Sequence, residues 1–155
     1  MLWRMTVTLA LSVRRFRPGD EPFLTRLSRT AFAEYSNAPG VEAVHMAASN
    51  PTLIALEGAT PVGFVTLEAP RDSSIAYVIA LAVAENRRGR GVGYGLLCAA
   101  ERLARMADAR TIELHTADFN LTALELFLRN GYQITRRLPR YYRGRFDACE
   151  LAKRL

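Results

Sequence analysis

Residues 87–95 read Arg87-Arg88-Gly89-Arg90-Gly91-Val92-Gly93-Tyr94-Gly95, and this stretch decides the fold. Its glycines let the main chain approach a ligand closely, and successive N–H groups of such a segment form a concavity for anions. Val92, Leu96, Leu97, Ala100, Leu103, Ala104 and Ala107 then recur at helical spacing, which predicts a helix from about 91 to 107. The positive end of that helix would point at the same anion. Upstream, 74–84 is a long strand-forming run; downstream, 111–116 is a short one. Strand, glycine loop, helix and strand make a βαβ unit, which requires two parallel strands. With Arg87, Arg88 and Arg90 adding charge, the physics predicts a phosphate or diphosphate site.

The type of phosphate site can be narrowed. A Walker A loop needs Gly-Lys-Ser/Thr, and Lys153 is the only lysine in the chain. The dinucleotide pattern G-x-G-x-x-G/A also fails. From Gly89 and Gly91 its last position is Tyr94, and from Gly91 and Gly93 it is Leu96. A plain flexible turn is the bland alternative, against which the density of small and basic residues counts.

Outward from the loop, Thr6–Arg15 reads as a strand and Arg17-Pro-Gly-Asp20 as a turn. Asp20 is placed to cap a helix running to about Phe32, with Phe23, Leu24, Leu27 and Ala31 as its apolar stripe. Tyr35–Gly40 is a loop, and a weaker helix follows near 41–48. Thr52–Leu56 and Pro61–Glu68 read as a hairpin around Glu57-Gly-Ala-Thr60. Asn120–Asn130 is a helix stopped by Gly131, and Tyr132–Arg137 and Phe146–Leu151 are final strands. The order β-α-α-β-β-β-α-β-α-β-β describes one α/β domain with a mixed sheet of about seven strands.

Composition agrees. A length of 155 residues suits one domain, and 50% hydrophobic with 23% charged residues is a globular balance. No apolar run approaches the roughly 20 residues that cross a bilayer. The Thr6–Val13 stretch is too short for a signal peptide, so no membrane association and a cytoplasmic location are expected. Cys98 and Cys149 stand alone, which argues against a disulfide framework or a metal site. The net charge of +6 is almost all arginine. Codon bias explains much of it; an anionic ligand, suited to arginine's planar fork, is the functional alternative. The arginines are scattered without interleaved aromatics, which argues against nucleic acid.

Two blocks together resemble a known family. Leu81-Ala82-Val83 followed by Arg88-Gly-Arg-Gly-Val-Gly93 is similar to the acetyl-CoA signature Gln/Arg-x-x-Gly-x-Gly/Ala of the GCN5-related N-acetyltransferases (GNAT). Asn120-x-x-Ala123-x-x-Leu126-Phe127-x-x-x-Gly131-Tyr132 is similar to that family's second block. The resemblance implies a GNAT fold whose two splayed parallel strands, 75–83 and 111–116, bind acetyl-CoA without a metal. It places the diphosphate on the amides of Arg88, Gly89, Arg90, Gly91, Val92 and Gly93. It places the pantetheine arm against Leu81, Ala82 and Val83, with the Leu81 N–H facing the thioester oxygen and Asn120 reaching the arm. Asn120 as a plain helix cap is compatible with both.

Acetyl transfer needs a neutral amine and something to take its proton. A chain-terminal amine, with a pKa near 8, is about one-tenth neutral at pH 7. Tyr77 and His115 occupy places that look like the proton-accepting pair of a eukaryotic N-terminal acetyltransferase acting on Met-initiated proteins. In the bacterial ribosomal-protein-alanine type the His115 place is a glutamate. Glu113, close by, is expected on the opposite face of its strand. Ordinary packing is the alternative for both Tyr77 and His115. Arg140-Tyr141-Tyr142 and Asp147-Ala148 resemble the same enzymes' peptide-channel residues, with Tyr35 as an opposite wall. An exposed hairpin tip is the alternative there. One departure stands out: the family's general-acid tyrosine falls on Phe127, leaving Tyr141, Tyr142 or water to protonate the thiol, or the thiolate to leave unaided.

The favoured expectation is an acetyl-CoA-dependent N-acetyltransferase acting on a protein or peptide α-amino terminus. A small-molecule amine acceptor and a non-catalytic acyl-CoA-binding module are the alternatives, the latter resting on Phe127. A homodimer paired through edge strands stays open.

Overall fold

The structure, a computed structural model, describes residues 10–155. The first strand, β1 (Leu11–Arg15), is shorter than the sequence suggests, and the Thr6–Leu9 part of that expectation lies outside the described residues. Two helices follow, α1 (Glu21–Ala31) and α2 (Pro39–Ser49), each with proline in its first turn, where no intrahelical N–H is needed. Asp20 does not cap α1 through its side chain as expected. Its carboxylate instead accepts two bonds from Arg14, at 2.7 and 2.9 Å, and one from the Arg17 N–H at 2.8 Å. The guanidinium is the stronger partner and holds the Asp20 carboxyl below its usual range.

The remaining order is β2 (Thr52–Glu57), β3 (Thr60–Glu68), β4 (Ile75–Val83), α3 (Val92–Met106), β5 (Thr111–Ala117), α4 (Leu121–Arg129), β6 (Gln133–Tyr142) and β7 (Phe146–Arg154). Seven strands form one sheet in the order β1-β2-β3-β4-β5-β7-β6. Among the described residues only β4 and β5 pair in parallel, with α3 as the crossover. This is the expected architecture, with β6 and β7 each extending further than the alternation of apolar residues indicated.

Each sheet face has its own core. Leu53, Val65, Leu67, Ala76, Val78, Ile112, Leu114 and Leu151 meet α3 and α4 through Leu96, Leu97, Ala100 and Phe127. Ile54, Phe64, Ala80 and Ala82 meet α1 and α2 through Leu24, Ala43 and Ala47. Leu24 and Phe64 are fully buried, each contributing about 1.5–3 kcal/mol of hydrophobic stabilisation. Where α3, α4 and β7 meet, the carboxylate of buried Glu101 accepts bonds from Tyr132 Oη at 3.1 Å and from Lys153 Nζ at 3.0 and 3.1 Å. Lys153 is thus an internal staple, and the burial of Tyr132 beside that carboxylate pushes its hydroxyl pKa up.

Candidate active site

The site begins with one extra residue in β4. Its antiparallel register with β3 runs Val65↔Leu81 and Thr66↔Ala80, then resumes at Leu67↔Val78. Ile79 therefore has no opposite residue, and it forms a β-bulge. Side chains alternate along a strand, so an inserted residue exchanges the faces beyond it. Ala76 and Val78 face α3 and α4 before the bulge; Leu81 and Val83 pack against that same core after it. The parallel pairing with β5 also stops here, at Val78↔Leu114. Past that rung the two strands part, leaving main-chain groups of 79–83 that turn away from β3 without a strand partner on that side.

The glycine loop closes one end of this gap. Gly89 and Gly91 have φ of +73° and +82°, in the left-handed region that side chains disfavour. A Cβ at either would meet no atom within 4 Å, so both front open space. Gly91 is the N-cap of α3, and helix geometry leaves the first-turn amides without intrahelical partners. Gly93 has a further role: a Cβ there would stand 3.1 Å from Leu126 Cδ2, so its smallness lets α4 close on α3. Arg88 Nε donates to Val83 O at 3.3 Å, tying the loop to the end of β4. Arg87 and Arg90 both reach Glu57, at 3.3 and 3.9 Å. Arg90 does not line the gap, contrary to the side-chain role the charge of the loop suggested. Arg87, which shared that charge, does.

Together these elements enclose a cleft of about 880 Å³. One side is formed by the loop, α3 and α4, with Val92, Gly93, Ala123, Leu126 and Phe127. The other is formed by the end of α1, the loop after it and α2, with Phe32, Tyr35, Glu42 and Met46. Residues 78–83 of β4 and Leu114, His115 and Thr116 of β5 lie between, so the cleft passes through the sheet where the strands part. Thr122, Glu125 and Arg129 of α4 also line it, Glu125 and Arg129 being joined at 2.7 Å. No spacing rule singles out that polar face of α4 before its orientation is known.

Aromatic rings crowd the α1 side of the gap. Tyr35 packs on Tyr142 with ring centroids 4.7 Å apart and stacks on Phe119 at 6.4 Å; Phe119 in turn meets Phe146 at 5.3 Å. Asn120 joins the two sides. Its Oδ1 accepts from the Ala123 N–H at 3.2 Å, capping α4, and its Nδ2 donates to Tyr35 Oη at 3.4 Å. Burial pushes the hydroxyl pKa values of both Tyr35 and Tyr142 up, so both stay protonated at neutral pH.

His115 is engaged at both ring nitrogens. Nδ1 lies 3.0 Å from Tyr141 Oη and Nε2 3.1 Å from Glu150 Oε2. Glu150 also accepts from Arg136 at 2.9 Å and from Thr135 Oγ1 at 3.1 Å. Arg136 first, then His115, lowers its carboxyl pKa from 4.5 to about 2.

Leu81, Ala82, Val83, Arg88, Gly89, Gly91, Val92, Gly93, His115, Asn120, Phe127, Tyr35 and Tyr142 all line one cleft. Tyr141 does not line it; its ring sits on His115, 4.9 Å between centroids. Tyr77 does not line it either. It pairs with Glu113 before the bulge, and so faces the α1 side without reaching the gap. Glu113 shares that face with His115, not the opposite one, because residues two apart on a strand point the same way. Phe127 is only 5% exposed and packs against Tyr132 at 5.6 Å. Glu150, which lies on no recognisable motif, is the residue that sequence reasoning missed. Among the described residues no helix is long and apolar enough to cross a membrane, and no cluster of three or more His, Cys, Asp or Glu is arranged to hold a metal ion.

The family model described as Acetyltransferase (GNAT) family matches residues 16–132. Among solved structures, Ard1 from Thermoplasma volcanium is 25% identical with a TM-score of 0.82, covering 94% of this chain and 98% of that one. A structure described as the NatC complex bound to Gag peptide and CoA contains a chain 22% identical, with a TM-score of 0.80 and the same coverage. The IAA acetyltransferase from Bacillus cereus is 22% identical with a TM-score of 0.79, covering 94% of this chain and all of that one. No curated protein matches the sequence significantly.

Proposed function

The chain belongs to the GNAT acetyltransferase family, and from that premise we propose that it transfers the acetyl group of acetyl-CoA to an amine, favouring the α-amino group of a protein or peptide. One observation carries this reading: a single cleft joins the open-fronted glycine amides to the His115 side of the sheet through the gap between β4 and β5. A donor held on one side and an acceptor on the other would meet in that gap, which is the positioning that bimolecular transfer requires.

The residues fit the donor. Amides of Gly89–Gly93 front open space for a diphosphate, with Arg87 and Arg88 alongside. The unpaired edge of β4 from Ile79 to Val83 offers main-chain groups to the amides of a pantetheine arm, as a strand edge takes an extended peptide. Bound there, acetyl-CoA supplies an acyl carbon activated as a thioester. The Leu81 N–H is the proposed hydrogen-bond donor to the oxygen that gains charge during attack. Asn120, fixed by its cap to α4, is the proposed side-chain contact to the arm.

On the acceptor side, Tyr35 and Tyr142 give apolar walls with hydroxyls for peptide carbonyls. Glu42, the one acidic side chain on that wall, is too little to suit a polycation. His115 is the proposed proton acceptor. Tyr77 is not assigned a part, since it stands outside the cleft and the two ring nitrogens of His115 bond Tyr141 and Glu150 instead. Phe127 has no proton to give, and the protonated Tyr142 hydroxyl is the proposed hydrogen-bond donor to the leaving sulfur. A thiol pKa near 8.5 makes that sulfur a fair leaving group in any case.

The test is thiol release from acetyl-CoA with a panel of N-terminal peptides, an equal panel of small amines and no acceptor. Turnover on peptides above the small amines is expected. Preference for a small amine would move the acceptor; tight acetyl-CoA binding with no turnover on either panel would leave only a binding module.

A further inference from the structure

We propose that Tyr141, His115 and Glu150 act as one proton-relay unit, in which the Tyr141 hydroxyl receives the acceptor's proton and Glu150 is a positioning residue. This rests on the acyl-transfer reading above and concerns how that site moves its proton.

The starting observation is that neither nitrogen of His115 is free. A carboxylate only accepts, so Nε2, 3.1 Å from Glu150 Oε2, carries hydrogen. In the neutral ring Nδ1 then holds the lone pair, and Tyr141 Oη at 3.0 Å is the donor that fills it. His115 therefore presents no lone pair to an incoming amine. The next lone pair along the row is on Tyr141 Oη, whose ring is 48% exposed, stands beside the cleft rather than in its lining, and packs edge-on against Tyr142 of the cleft wall, 5.0 Å between centroids. As the C–N bond forms and the C–S bond breaks, the amine proton passes to Tyr141 Oη while the Tyr141 proton passes to Nδ1. The imidazolium has N–H groups at both positions, matching the same two partners without any heavy-atom movement. It then returns its proton to solvent, and the thiolate takes one from solvent.

The sheet registers hold this row in place. His115 and Glu150 are cross-strand partners between β5 and β7, and Arg136 and Glu150 between β7 and β6. Among the described residues, Glu150 is the carboxylate within hydrogen-bond distance of the ring. The groups facing His115 are Tyr141 and Arg136 from β6, Glu150 from β7, Glu113 on its own strand and Tyr77 from β4. Arg136 and Thr135 keep the Glu150 carboxylate anionic and oriented, so it is available to balance the charge that His115 gains. An orienting carboxylate behind a histidine is what a catalytic triad uses for its nucleophile; here the front member is a phenol.

The experiment compares kcat, KM and pH–rate profiles of the wild type with Tyr141→Phe, His115→Ala, their double variant and Glu150→Gln. Acetyl-CoA affinity and melting temperature are measured for each. Tyr141→Phe keeps the ring and loses only the hydroxyl. It should lower kcat by about a hundredfold with acetyl-CoA affinity unchanged. His115→Ala should lose a similar factor, and the double variant no more than either alone, because members of one unit are not additive. Glu150→Gln should lower kcat less and move the acid limb of the profile to lower pH, with Glu150→Asp restoring part of both. Full kcat in Tyr141→Phe, or a double-variant loss equal to the product of the two single losses, overturns the relay. If His115→Ala is impaired while Tyr141→Phe is not, His115 as base survives and only the relay fails. If wild type turns over no amine, both fall together.

Discussion

Replacing Gly91 by alanine separates what the backbone conformation costs from what the ligand needs. In the free protein the new methyl would meet no atom within 4 Å, so there is no clash. The cost is conformational: φ is +82° and ψ 6°, where a side chain costs roughly 1–2 kcal/mol. Reduced freedom of the unfolded chain offsets about 0.4–1 kcal/mol of it. The net loss is about 1 kcal/mol, or roughly 2–4 °C in melting temperature for a chain this long. The complex should suffer far more. The methyl projects into the open front of the loop, where a diphosphate must come within hydrogen-bond reach of the first-turn amides of α3. Losing one charge-assisted hydrogen bond there costs about 1.5–3 kcal/mol, some 10- to 150-fold in affinity. Calorimetric titration with acetyl-CoA reads this directly. Titration with acetyl-pantetheine, which lacks the diphosphate, is the control and should be unchanged. Equal weakening of both ligands, or of neither, would refute the assignment of the loop.

Three further outcomes follow from the same structure. Lys153→Met leaves the buried Glu101 carboxylate with Tyr132 and a distant Arg105 at 3.8 Å, and should cost about 3 kcal/mol in urea unfolding. A Glu101→Leu/Lys153→Met double variant should lose less than that single change. Asn120→Ala removes the cap on α4 and the bond to Tyr35, and should cost about 1 kcal/mol while raising the KM for acetyl-CoA. Because Glu150 titrates at about 2 in the folded chain against 4.5 ordinarily, its contacts stabilise fully above pH 4.5 and are lost as pH falls toward 2. Urea midpoints should therefore drop less between pH 5 and pH 3 in Glu150→Gln than in the wild type.

Much of this was legible in the sequence because it is local. The glycine loop, the helix after it and the Asn120–Tyr132 block announce themselves through spacing within a few turns, and they fix the parallel pair at the centre of the sheet. What was not legible depends on register. Val78-Ile79-Ala80-Leu81 is uniformly apolar, so nothing in it marks Ile79 as the residue without a partner. Without the bulge, period-two counting assigns Tyr77 and Leu81 to one face and brings Tyr77 to the cleft; with it, they lie on opposite faces. Glu150 is 35 residues from His115, and only the β5–β7 register brings them together. Arg90 and Arg87 look alike in the loop, yet Glu57 on β2 draws both, and only Arg87 remains on the cleft wall.

The surplus residue in β4 also bears on how such a domain could change its trade. Deleting Ile79 would let the rungs past Val78 and Leu114 zip shut, with both hydrophobic layers still available to hold the domain together. What would vanish is the passage from one side of the sheet to the other. A length change of one codon, rather than any alteration of a polar side chain, would then suffice to turn a catalyst into a sealed scaffold.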